Sequence, residues 1–151
     1  MSFDRHHFYG FVSHVLTQHQ LWSPAAVNLV LGTCAQESHF GEYRRQLGGG
    51  PARGVYQEEP ATFAWLRRKY GRRFPLIADR SFGEIEHDDY LATLHARLRY
   101  LVVPEPLPDP NDVEALGRYW KQHYNTEAGK GTVDEFVRNY RQFVEPEGVI
   151  A

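Results

Sequence analysis

The feature that most constrains the fold is an apolar run from Ala25 to Ala35 that offers almost no polar face. Ser23 and Pro24 come directly before it, which is typical of an N-cap followed by a proline in the first helical turn. A helix that is apolar on nearly every side has to be covered on every side. The run therefore predicts a buried central helix with the other elements packed around it.

Five further segments are predicted to be helical from apolar spacing, prolines and capping residues. They begin near Phe8, at Pro60, at Asp88, at Asp112 (to about His123) and at Thr132. Between residues 41 and 57 the helical pattern breaks, and the run Gly48-Gly49-Gly50-Pro51 cannot continue a helix. We expect a loop there, with a short irregular hairpin. A chain of 151 residues suits one domain, so we expect a mainly helical single domain over residues 1–151.

Composition excludes several classes of function. The net charge of −2 gives no overall basic field, so we expect no nucleic-acid partner. Eight histidines are present, but they form neither a His-Glu-x-x-His motif nor a paired Cys/His spacing. We therefore expect no metal and no cofactor. The single cysteine, Cys34, lies in the apolar run, where we expect it to fill the core.

The chain shows no signal for export or for membrane insertion. No window approaches the roughly 20 apolar residues of a membrane helix, so we expect no membrane span. The N-terminus has no basic segment followed by an apolar stretch, so we also expect no secretory signal.

Glu37 is the first candidate functional residue, because it follows the apolar run near the end of its helix. Burial disfavours a charged carboxylate, and the negative end of the helix dipole acts in the same direction, so both would raise its pKa. A glutamic acid that stays protonated near neutral pH can donate its proton to a leaving-group oxygen. The alternative is a solvated side chain that closes the helix.

Two later segments carry polar side chains that suit a sugar ligand. Gln57 follows a glycine-rich loop, and its amide offers both a donor and an acceptor for an N-acetyl group or a hydroxyl. Tyr56 beside it would stack on a sugar ring. Tyr124 and Asn125 lie at a predicted helix exit. The alternatives are an ordinary loop for the first pair, and a helix cap with a packed ring for the second.

Taken together, three motifs resemble those of the soluble lytic transglycosylases, the lysozyme-like enzymes that cut bacterial peptidoglycan. The motifs are Gln36-Glu37-Ser38, Gly54-x-x-Gln57-x-x-Pro60-x-Thr62 and Tyr124-Asn125. The resemblance implies a lysozyme-like single domain of the α+β class, predominantly α, in which residues 41–57 form a small irregular or β lobe.

The resemblance also implies roles for individual residues. Glu37 would be the catalytic acid and base, and Ser38 would orient it or hold an N-acetyl group. Gln57 and Asn125 would bind sugar by hydrogen bonds, while Tyr124 would pack beside Glu37. The substrate would be a peptidoglycan glycan strand, cut at the β-1,4 bond between N-acetylmuramic acid and N-acetylglucosamine.

Two departures from the family pattern bear on the mechanism. Glu58 and Glu59 replace the usual apolar residue after Gln57, and the bulky Trp120 lies in the segment before Tyr124 where small residues are normal. Ordinary glycosidases use two carboxylates. A lone acid favours attack by the muramic acid C6 hydroxyl and a 1,6-anhydro product. Hydrolysis would instead need a second carboxylate, for which Glu42, Glu58 and Glu59 are the nearby candidates.

Residues 124–132 resemble the corresponding stretch of phage virion proteins of this type. With no secretory signal, this likeness predicts delivery by a phage tail, with tail proteins as partners and the bacterial periplasm as the place of action. An endolysin released by a holin also fits. Two other readings are a catalytically inactive adaptor protein of a phage tail on a lysozyme-like scaffold, and a chitin-type glycosidase.

One local charge cluster, between Arg67 and Arg73, has no place in these motifs. It is either a solvated helix face or a contact with an anionic surface, such as a wall polymer or a partner protein.

Overall fold

A computed structural model describes residues 4–125 and 129–145 of the chain. Within these ranges six α-helices are joined by turns, two 3-10 helices and two π-helical turns. The α-helices are α1 (Arg5–Gln18), α2 (Pro24–Ser38), α3 (Pro60–Tyr70), α4 (Asp89–Leu101), α5 (Val113–Trp120) and α6 (Val133–Asn139). The 3-10 helices span Pro75–Ile77 and Phe82–Glu86, and the π-helical turns span Lys121–Asn125 and Tyr140–Val144. The predicted predominance of helix is confirmed.

The predicted central helix is confirmed as α2. Between Ala25 and Ala35 every residue except Asn28 is buried, and α1, α4, α5 and α6 all pack against the helix. Full burial of each Val or Leu side chain contributes about 1.5–3 kcal/mol, so this one helix accounts for much of the core. Gly32 is required by the packing of α6, since a Cβ atom there would lie 2.4 Å from the ring of Phe136.

Capping residues fix where the surrounding helices begin, largely as the sequence predicts. The side chains of Ser23, Asp88 and Asp112 each accept a hydrogen bond from the backbone N–H three residues later. Thr132 and Glu135 form the expected capping box. The α-helix that begins after Asp112 differs from the prediction at its other end, because it gives way after Trp120 to the π-helical turn.

The loop between α2 and α3 contains less β structure than an α+β class implies. Among the described residues its β character is limited to two isolated antiparallel bridges, Arg45–Arg53 and Arg53–Glu58. Side chains hold the loop where a strand ladder would otherwise do so. Arg44 makes two hydrogen bonds to the carboxylate of Asp89, at 2.6 and 3.1 Å, and Arg45 donates to Glu86 at 2.9 Å.

In the described part of the chain, no helix has both the length and the apolar character needed to cross a membrane. Cys34 is a buried free cysteine within α2, as predicted.

Candidate active site

A groove of about 600 Å³ runs past the C-terminal end of α2. Its walls are formed by the end of α2, the loop before α3, one residue of α4, the π-helical turn after α5 and residues 129–130. Its lining includes Glu37, Gln57, Tyr124 and Asn125. Four of the six predicted site residues therefore line one groove, although they lie up to 88 positions apart in the sequence.

Glu37 lies in the last turn of α2, and Ser38 fixes the end of that helix. The hydroxyl of Ser38 donates to the carbonyl of Cys34 at 3.1 Å and accepts from the N–H of Gly41 at 2.8 Å. His39, the C-cap, adopts a left-handed conformation with φ of 49°, which turns the chain away from the helix axis. Ser38 is fully buried and does not line the groove, so its predicted role in holding a sugar is corrected. Its contacts hold the helix end that carries Glu37.

The carboxyl group of Glu37 is enclosed by protein on most sides. The indole Nε1 of Trp120 donates a hydrogen bond to its Oε2 at 2.9 Å. Burial raises the pKa of Glu37 to about 7, while the bond from Trp120 and the positive charge of Arg99 act in the opposite direction. Since Oε2 accepts from the indole, Oε1 is the oxygen that can hold a proton. The group can thus be protonated or ionised near neutral pH.

Trp120 is a site residue that the motifs did not reveal. Its side chain is fully buried and its ring packs on that of Phe136, with centroids 5.5 Å apart. A buried indole N–H needs an acceptor, and here the acceptor is the candidate acid. The only sequence signal was its position four residues before Tyr124, a spacing that places both side chains on related faces of the same helical segment.

The loop before α3 turns Gln57 outward and Tyr56 inward. Gly54 and Gln57 have positive φ angles of 81° and 51°, and the Gln57 side chain donates to the carbonyl of Gly54 at 2.9 Å. That bond orients the amide and leaves its oxygen for a ligand. The ring of Tyr56 is buried, and its hydroxyl pairs with Thr93 at 2.8 Å. The prediction that Tyr56 stacks on a sugar is therefore corrected, because its ring has no face in the groove.

Tyr124 connects the two sides of the groove. Its hydroxyl donates to the carbonyl of Tyr56 at 2.7 Å. Burial is the largest cause that raises the pKa of this phenol well above its usual value, followed by the charges of Glu37 and Glu58. The hydroxyl therefore stays neutral and keeps its proton for this bond.

Arg99 from α4 is a second site residue that the sequence did not single out. Its guanidinium lies 4.8 Å from the centroid of the Tyr124 ring and donates to the Tyr124 carbonyl at 2.9 Å and to Thr62 at 3.1 Å. It also lines the groove. Arg99 thus fixes the π-helical turn to the start of α3 and places a positive charge near Glu37.

Asn125 is oriented by Lys121, which lies one π-helical turn earlier. The Lys121 ammonium donates to Oδ1 of Asn125 at 2.8 Å and to the carbonyls of Gly129 and Gly131 at 3.0 and 2.7 Å. All three ammonium protons are thereby used. Since its oxygen accepts from Lys121, Asn125 presents its NH₂ group as a donor.

The three candidates for a second carboxylate fall in different places. Glu59 is exposed and lines the groove, whereas Glu42 is exposed and is not part of the lining. Glu58 is buried, 3.2 Å from Nδ1 of His95, and His95 stacks on Phe63 with ring centroids 4.3 Å apart. Glu58 is therefore withdrawn from the groove, and Glu59 is the one of the three that a ligand there would meet.

A larger cavity, of about 900 Å³, lies between the start of α1 and the start of α4. Its carboxylates already serve the fold: Asp4 and Asp88 cap helices and Asp89 pairs with Arg44. Because its carboxylates are engaged in helix capping and ion pairing, this cavity is a weaker candidate for an active site than the groove. Across residues 4–125 and 129–145, no group of three or more His, Cys, Asp or Glu side chains is arranged to hold a metal ion.

Comparisons with protein-family models, curated proteins and solved structures found no match for this chain. What can be said of its function therefore depends on the chemistry of the groove.

Proposed function

We propose that this protein is a peptidoglycan-cleaving enzyme of lysozyme-like fold, which cuts the β-1,4 bond between N-acetylmuramic acid and N-acetylglucosamine. The observation that carries the proposal is the protonatable Glu37, with a pKa of about 7, in one groove with the amides of Gln57 and Asn125. Glycoside cleavage needs an acid to protonate the leaving oxygen and polar groups to bind the sugar, and here Glu37 and the two amides can supply them.

In the proposed reaction Glu37 is first an acid and then a base. Its Oε1 proton passes to the glycosidic oxygen, which leaves with the N-acetylglucosamine residue as a C4 hydroxyl. The C6 hydroxyl of the muramic acid attacks C1 of its own ring, and the ionised Glu37 accepts the proton that this hydroxyl loses. The products are a 1,6-anhydro-muramic acid end and a free C4 hydroxyl, so atoms and charges balance without added water.

The neighbours of Glu37 support both halves of this cycle. Burial makes protonation easy at neutral pH, and the bond from Trp120 with the charge of Arg99 keeps the ionised form accessible. A pKa close to the working pH serves a group that must both give and take a proton. Neutral Tyr124 beside it adds no competing charge.

Mass spectrometry of digested cell walls distinguishes the proposed reaction from hydrolysis. The lone-acid mechanism predicts anhydro-muramic ends, which lack one water relative to hydrolysis products. If reducing ends carry the full mass, a second carboxylate activates water, and Glu59 is the candidate in the groove. In that case Glu59→Gln should abolish cleavage, whereas in the anhydro reaction it should not.

A zymogram on peptidoglycan tests the activity itself. The wild-type protein should clear the gel and Glu37→Gln should not, while Glu42→Gln, the same change on an exposed side chain outside the groove, should clear it normally. A parallel gel with chitin tests the alternative substrate. If wild type and Glu37→Gln are both inactive yet the protein is incorporated into phage particles, the protein is a tail adaptor and the enzyme proposal fails.

Delivery by a phage tail completes the proposal, with glycan strands and tail proteins as partners and the periplasm as the place of action. It is supported by the likeness of residues 124–132 to phage virion proteins. Mass spectrometry of purified virions would detect the protein if this is right, whereas its presence only in the lysate would favour an endolysin.

A further inference from the structure

The exposed side of α3 and the turn after it carry a cluster of cations that the groove does not use. This cationic face consists of Trp65, Arg67, Arg68, Lys69, Arg72 and Arg73, all of which are exposed. Trp65, Arg68 and Lys69 recur at helical spacing and so share one side of α3, opposite its buried residues; Arg72 follows in the turn after the helix.

No carboxylate in the described ranges forms an ion pair with these five cations. Three of them lie near aromatic rings: Lys69 is 5.9 Å from the ring of Trp65, Arg73 is 5.1 Å from that of Phe74, and Arg67 is 6.0 Å from that of Phe63. The nearby Glu84 and Asp88 pair with Arg80. The five cations of the face therefore lie outside the ion pairs of the described residues.

The charge of the face contrasts with that of the rest of the chain. The sequence has 17 Lys and Arg against 19 Asp and Glu; removing the five cations of the face leaves 12 against 19, a net charge of −7. A helix C-terminus favours cations in its last turn, which accounts for Arg67 to Lys69. It does not account for Arg72 and Arg73 beyond the helix, nor for an exposed tryptophan.

We propose that the cationic face docks the protein onto an anionic lipid bilayer surface. Its cations complement acidic headgroups, and Trp65 is 42% exposed among them. Leu76, three residues after Arg73, is 37% exposed. A soluble phosphate polymer would pair with the cations but would offer no apolar phase for these two side chains, whereas tryptophan and leucine beside basic residues suit a membrane interface.

Docking would also position the groove. Glu59 lines the groove and directly precedes α3. An α-helix of 11 residues is about 16 Å long. The groove and the cationic face therefore lie no more than about one helix length apart along α3, so docking would keep the groove close to the bilayer surface. The proposal does not depend on the chemistry of Glu37, so it can be tested in Glu37→Gln.

Sedimentation with vesicles tests the proposal. The full-length protein should bind vesicles of equimolar phosphatidylglycerol and phosphatidylcholine and should not bind phosphatidylcholine alone. The triple variant Arg68→Gln/Lys69→Gln/Arg72→Gln should bind the anionic vesicles about 100-fold more weakly, since each cation near such a surface contributes roughly fivefold.

The matched control removes the same charge from exposed side chains on other elements. It is Arg118→Gln/Arg138→Gln/Arg141→Gln, on α5, α6 and the last π-helical turn. This control should bind as wild type does, and far-UV circular dichroism should show both triple variants folded. Equal weakening in the two variants would mean that only net charge matters and would overturn the proposal, as would failure of the wild type to bind.

A change at Trp65 separates a bilayer from a phosphate polymer. Trp65→Ser should weaken binding to the anionic vesicles and leave binding to inorganic polyphosphate unchanged. The tryptophan fluorescence of the wild type should shift to shorter wavelength with vesicles, and Trp65→Phe should lose that shift. If Trp65→Ser binds vesicles normally and polyphosphate competes fully, the face recognises phosphate alone and the bilayer assignment is wrong.

Discussion

Replacing Glu37 by glutamine should stabilise the fold at high pH while it removes activity. The pKa of Glu37 rises from 4.5 to about 7 in the folded protein, mainly through burial. A rise of the pKa from 4.5 to about 7 corresponds to at most about 3.5 kcal/mol of unfolding free energy, since a change of one in pKa is worth about 1.4 kcal/mol. Glutamine has nearly the same shape and keeps an oxygen that can accept from Trp120.

The sign of the effect follows from where the proton is bound. Below pH 4.5 Glu37 is protonated in both the folded and the unfolded chain, so the two proteins should be about equally stable. Between pH 4.5 and 7 the unfolded wild type releases a proton that the folded wild type retains, and the wild type loses stability as the pH rises. Above pH 7 the full cost is present, and the variant has none.

Thermal unfolding of both proteins at a series of pH values from 4 to 9 measures this difference. For a chain of this size 1 kcal/mol shifts Tm by roughly 2–4 °C, so Glu37→Gln should melt up to about 14 °C higher at pH 8 and within about 2 °C of wild type at pH 4. All other titrating groups are common to the two proteins and cancel. A Tm difference that stays constant with pH, or that favours the wild type at pH 8, would refute the burial of this acid.

Three further predictions concern the surroundings of the acid and the loop. Arg99→Met should move the alkaline limb of the pH–activity profile to higher pH, because it removes a positive charge that lowers the pKa of Glu37. If the limb stays at the same pH, Arg99 serves only to fix the π-helical turn to the start of α3. His95→Leu should destabilise the fold by about 3–5 kcal/mol in urea unfolding, because it leaves the buried Glu58 without its partner. The double variant His95→Leu/Glu58→Leu should recover much of that loss. If the losses of the two single variants simply add in the double variant, the two residues are not a coupled pair. Gly54→Ala should cost more than about 1 kcal/mol in the same assay, since φ is 81° and the added Cβ would lie 2.6 Å from a backbone oxygen; a neutral result would mean that the loop adjusts freely.

The local features of this protein could be predicted from its sequence because each depends on residues close together in the chain. The all-apolar run can be satisfied only by complete burial, and α2 is buried as expected. Capping side chains reach only three residues along the backbone, so Ser23 and Thr132 specify helix starts wherever the helix is placed. The run Gly48-Gly49-Gly50-Pro51 predicts the break in helix after Gly41 for the same reason, since glycine and proline act on the backbone at their own positions.

Tertiary packing decided which polar side chains reach the groove and which do not. Tyr56 and Gln57 are neighbours in sequence, yet a left-handed turn buries the first and leaves the second, half-buried, in the lining of the groove. The residues around Trp120 in the sequence do not predict that it donates to Glu37, which lies 83 residues away. Nor do the residues around Arg99 predict that its guanidinium packs on the ring of Tyr124. A pKa responds to everything packed around a group, so the sequence could supply the acid, and only the assembled fold could set the pH at which it keeps its proton.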